Sequence, residues 1–86
     1  MSETREEAVR ALEGLREQHQ GARLWTCYEH PELMIPRGNG RRAYIAWEPS
    51  GWTITTAYEM HTTLVSDEEV TCATLADCLE WLEAQS

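Results

Sequence analysis

Lysine is missing from this chain of 86 residues, so every fixed positive charge is an arginine. Phenylalanine is missing too, and the acidic residues are almost all glutamate, with aspartate only at Asp67 and Asp77. Arginine without lysine points to a GC-rich coding sequence, as in a high-GC bacterium or one of its phages. No apolar run approaches the roughly 18 residues of a membrane span. The opening "MSETREEAVR" has neither the basic start nor the apolar stretch of a secretion signal. These absences set the expectation of a cytoplasmic protein without a membrane partner. Cysteine is scarce and odd in number, at Cys27, Cys72 and Cys78, which argues against a disulfide framework. Positive charge is outweighed throughout: the formal net charge is -8. Such a field repels nucleic acid and anionic membrane, and suits either solubility or a basic protein partner.

Catalytic and metal-binding patterns are equally thin. The three histidines, His19, His30 and His61, lie in no nucleophile or metalloprotease motif. Cys27 and His30 have a zinc-knuckle spacing, but Cys72 and Cys78 straddle a strand-to-helix boundary and do not repeat it. The acidic clusters, Glu29 with Glu32 and Asp67-Glu68-Glu69, lack the alternating oxygens and the glycine of a calcium loop. No metal, no cofactor and no enzymatic activity are expected.

What is present is the pattern of one small domain, residues 1–86, burying about 60–65% of its unfolded surface. Thr4 and Glu7 are spaced as a capping box, and Ala8, Val9, Leu12, Leu15 and His19 follow at helical spacing, predicting a helix over 4–20. "ARLWTCYE", 22–29, reads as a strand, and "PELMIPRGNG" as a loop carrying an apolar patch, Leu33-Met34-Ile35. "RAYIAWE" and "WTITTAYEM" form the clearest hairpin, rich in β-branched and aromatic residues. Its turn, "EPSG", favours Glu48 opposite Trp52, whereas the apolar pattern favours Trp47 opposite Trp52. Buried area outweighs turn preference, because a slip of one residue moves a whole row to solvent. On that register Arg42, Tyr44, Thr53 and Thr55 share a half-polar face. "SDEE" reads as a turn, "VTCA" as a short last strand, and Thr74 caps a final helix whose stripe is Leu75, Cys78, Leu79 and Leu82. The expected fold is α+β, in the order α-β-β-β-(β)-α: an antiparallel sheet of three or four strands with both helices on one face.

"PRGNGRR", 36–42, concentrates three of the seven arginines. It precedes a strand rather than a helix and lacks the phosphate-loop pattern, so it reads first as a strand-entry turn. Arg37, Arg41 and Arg42 are the candidates for contact with an anion. The order helix, three strands, helix is similar to that of double-stranded-RNA-binding domains. That resemblance is one of element order: the last helix opens "TLADCLEW", with an acid where such domains carry basic residues, and no site residue carries across.

Four tryptophans are many for so small a chain. Exposed tryptophan concentrates at binding hot spots. Trp25, Trp47 and Trp52, with the patch Leu33, Met34 and Ile35, are therefore the candidate partner-binding residues. The functional expectation is a non-enzymatic protein-binding module. One form of it is a small acidic inhibitor, of phage or mobile-element type, that mimics nucleic acid and occupies a basic surface of a larger protein. The alternatives are RNA or DNA binding through the arginine loop, or a homodimeric accessory protein.

Overall fold

The computed structural model describes residues 3–27 and 29–85. In chain order its elements are α1 (Arg5–Glu17), β1 (Arg23–Trp25), β2 (Glu32–Gly38), β3 (Arg41–Glu48), β4 (Gly51–Met60), β5 (Thr63–Cys72) and α2 (Leu75–Ala84). The strands form one antiparallel meander in the spatial order β1-β2-β3-β4-β5. The α+β class stands, but the sheet has five strands rather than three or four. No helix among the described residues is long and apolar enough to cross a membrane.

Two segments account for the difference. "PELMIPRGNG" is not a loop: most of it is β2, hydrogen-bonded between β1 and β3. Leu33 and Ile35 point into the core and Met34 points away, which is the period of a strand. Pro36 falls beyond the last β1 pair, Arg23 with Met34, where one side of β2 has no strand to receive a donor. "SDEE" is not a turn either, because β5 runs unbroken through it to Cys72. Its acids are accommodated because β5 is an edge strand with one side in water, and the ladder is irregular there, between Thr56 and Ala57 of β4. The strand expected over 22–29 is short, stopping at Trp25; Tyr28 lies outside the described residues.

The helices follow their caps. Thr4 accepts from the Glu7 amide, and the Glu7 side chain accepts from the Thr4 amide at 3.1 Å, closing the capping box. α1 ends at Glu17, earlier than residue 20, and Gly21 turns the chain at φ +81°. Thr74 accepts from the Asp77 amide at the start of α2. α1 packs on β1, β2 and β3, and α2 on β4 and β5. Between helices and sheet lies one core: Ala8, Leu12 and Leu15 of α1, Cys78 and Leu82 of α2, and Leu33, Ile35, Ala43, Ile45, Trp47, Trp52 and Ile54 of the sheet. Each fully buried leucine or isoleucine contributes about 1.5–3 kcal/mol relative to an exposed one.

The β3–β4 register is the one the apolar pattern favours, with Trp47 opposite Trp52 and Ile45 opposite Ile54. Gly51 follows the Pro49-Ser50 turn. A Cβ there would stand 2.9 Å from the Cys72 carbonyl oxygen, so the approach of β4 to β5 requires glycine. "PRGNGRR" is the tight turn of the β2–β3 hairpin. Asn39 (φ 54°) and Gly40 (φ 75°) are both left-handed, as a two-residue type I′ turn demands, and the arginines stand at the strand ends it joins.

Candidate functional site

Because both helices lie on one face, strand alternation leaves the opposite face of the sheet without a covering layer among the described residues. Its side chains stand in two long cross-strand rows. Arg23, Met34, Tyr44, Thr55 and Glu69 make one; Trp25, Glu32, Ala46, Thr53 and Thr71 make the next. Arg42 and Glu48 stand on the same face at opposite ends of β3. Trp25, Met34, Tyr44, Ala46, Thr53 and Thr55 are all half-buried, which leaves apolar and aromatic surface in contact with water.

The charges of this face are unevenly served. Arg42 pairs with Glu59 at 3.8 Å. Glu69 accepts from the Thr55 hydroxyl at 3.4 Å. Glu32 is half-buried, and burial alone pushes its carboxyl above the usual carboxylate range.

The structure divides the residues the sequence nominates. Leu33 and Trp52 are fully buried, and Ile35 and Trp47 nearly so, at 3% and 7% exposure. They are core side chains and are not presented to a partner. In a chain without phenylalanine, the tryptophans supply the large core volume. Trp25 and Met34 remain on the open face. Tyr44, Arg23, Glu32, Ala46 and Glu48 join them there. Their signal in sequence is the alternation of "RAYIAWE" and of β2, and it becomes readable once β2 is known to be a strand.

Arg37, Arg41 and Arg42 do line one small cleft, together with Tyr58, Trp81 and Gln85. Asp67 and Glu68 line it as well and offset much of the positive charge. Arg37 reaches the Leu82 carbonyl at 3.5 Å, supplying a positive charge near the C-terminus of α2, whose own last turn carries none. Two larger apolar side chains, Met60 (48% exposed) and Leu64 (46%), stand near the tip of the β4–β5 hairpin. They belong to successive cross-strand pairs, Met60 with Thr63 and Leu64 with Glu59, so they point to opposite faces and form no shared patch.

The histidines are dispersed: His19 is half-buried after α1, His30 is exposed before β2, and His61 is exposed at the β4–β5 turn. Among the described residues, no three His, Cys, Asp or Glu side chains converge as metal ligands would. Comparison with protein-family models, with curated proteins and with solved structures finds no match.

Proposed function

We propose that this chain is a non-enzymatic protein-binding module whose contact surface is the open face of its sheet. The observation that carries the reading is the uncovered patch Trp25, Met34, Tyr44 and Ala46, set among charges of both signs. An aromatic and apolar centre with a polar rim is the composition of a protein interface. The acidic run Asp67-Glu68-Glu69 does not favour mimicry of nucleic acid over this reading. It lies on the edge strand β5, where charge keeps unpaired backbone from recruiting another sheet.

The test compares a tagged wild-type chain with Trp25→Ala/Tyr44→Glu, both passed through lysate of the native host at low salt. A protein held by the wild type and released by the variant, with the variant's melting temperature little changed, supports the open face. Partners retained equally by both move the contact elsewhere on the molecule.

A further inference from the structure

We infer that the occupant of the open face is a second copy of the same chain, stacked face to face about a two-fold axis that lies between the sheets, perpendicular to β3 at the level of Ile45. The inference rests on the reading of this face as a protein-binding surface and names its partner.

For two sheets stacked with their strands aligned, a two-fold axis in the interface runs along the strands or across them, and the two choices give different neighbours. An axis along β3 lays each residue of that strand over itself: Arg42 over Arg42, Glu48 over Glu48, Tyr44 over Tyr44. Like charges and bulky rings then collide. An axis across β3 at Ile45 exchanges the ends of the strand. Arg42 and Glu48 are equidistant from Ile45, so each arginine meets the glutamate of the other copy. Tyr44 and Ala46 are also equidistant, so each ring is laid over a small side chain.

The same operation applied to the rest of the face introduces no like-charge pair. It exchanges the two long rows. Arg23 of one copy comes over Trp25 of the other and one strand from its Glu32, Met34 over Glu32, Thr55 over Thr53, and Glu69 over Thr71. Glu32 is the half-buried carboxylate raised by desolvation alone, and this arrangement lays Met34 over it and brings the Arg23 guanidinium to the adjacent strand, about 4.8 Å to the side. The pairing thus answers the charge, the shape and the uncompensated acid of the face with one symmetry operation.

The footprint is small. Five strands about 4.8 Å apart and six residues of β3 at about 3.4 Å each give a planar area of roughly 400 Å² per copy. That is about half of a standard interface, the size class of weak, transient association.

Sedimentation equilibrium of the untagged chain, from about 1 to about 500 μM, tests the inference over that range. The expected mass rises from the 9.9 kDa of one chain towards twice that value. Arg42→Glu and Glu48→Arg should each weaken association about tenfold or more. The double variant Arg42→Glu/Glu48→Arg should restore it to within a few-fold, because the swapped charges meet again across the two-fold axis. Circular dichroism of each variant checks that it folds. A wild type that stays at single-chain mass throughout overturns the inference, as does a double variant no better than either single one. A chain that stays monomeric yet loses a different protein on Trp25→Ala/Tyr44→Glu overturns the dimer and keeps the binding module. A chain unaffected in both assays overturns both.

Discussion

The indole N–H of Trp52 donates to the Glu3 carboxylate at 2.8 Å, joining the most buried large side chain of the sheet to the segment that precedes α1. Tryptophan offers a single donor, and its burial is costly when that donor is left unpaired. Glu3→Ala should therefore lower stability by about 1 kcal/mol without altering the fold. Urea unfolding monitored by tryptophan fluorescence measures it. A variant as stable as the wild type would show that water replaces the carboxylate without loss.

The tryptophans should separate into two classes. Trp52→Ala removes a fully buried ring and should cost about 3–5 kcal/mol, enough to unfold much of so small a domain. Trp25→Ala, on the open face, should cost less than about 1 kcal/mol. Melting temperatures of the two variants check the difference. Equal losses would mean that Trp25 carries part of the core.

Thiol reactivity should follow exposure. Cys27 is exposed, Cys72 half-buried and Cys78 buried. Burial, a hydrogen bond with Cys72 and nearby negative charge push the Cys78 thiol up to about 12. Since the thiolate is the reactive form, a thiol reagent at about pH 8 should modify Cys27 first and Cys78 last. Peptide mapping after timed quenching gives the order. Early labelling of Cys78 would contradict its place in the core.

The β4–β5 turn holds an unfavourable pair of residues. His61 (φ 49°) and Thr62 (φ 67°) both lie in the left-handed region, which a β-branched threonine adopts at a cost of roughly 1–2 kcal/mol. His61→Asn/Thr62→Gly supplies the residues a type I′ turn prefers and should stabilise the domain by about 1 kcal/mol. A lower melting temperature in the double variant would refute it.

Glu32 gives the pH dependence a definite sign. Its carboxyl is raised in the folded chain, so the native state favours the protonated form. Its contribution is fully present below the unfolded value of about 4.3 and is lost as pH rises through the folded value. In protein dilute enough to be single chains, Glu32→Gln should be more stable than the wild type at neutral pH. The gap should close as pH falls below about 4.3. Urea unfolding at both pH values measures it, and a variant less stable at neutral pH would show that the carboxylate is held by a partner.

Much of this architecture was readable from local pattern. The capping box at Thr4 and Glu7, the cap at Thr74, the apolar stripes of both helices and the pairing of Trp47 with Trp52 follow from spacing a few residues long. So does the placing of Arg42, Tyr44, Thr53 and Thr55 on one half-polar face. Those features depend on neighbours in the chain or on a hairpin partner close in sequence. β2 and the middle of β5 were not readable in this way. Pro31 and Pro36 bracket the segment and the acids at 67–69 favour turns by composition, and only pairing with β3 and β4 makes 32–38 and 67–69 strand. Burial of Leu33, Ile35, Trp47 and Trp52, and exposure of Trp25 and Met34, were likewise decided by which face the two helices cover. That choice is made by contacts between segments far apart in the chain. Local spacing was enough for both helices and the β3–β4 hairpin; the strands β2 and β5, the choice of core tryptophans and the open face came from the packing of distant segments, because burial is a property of the assembled layers.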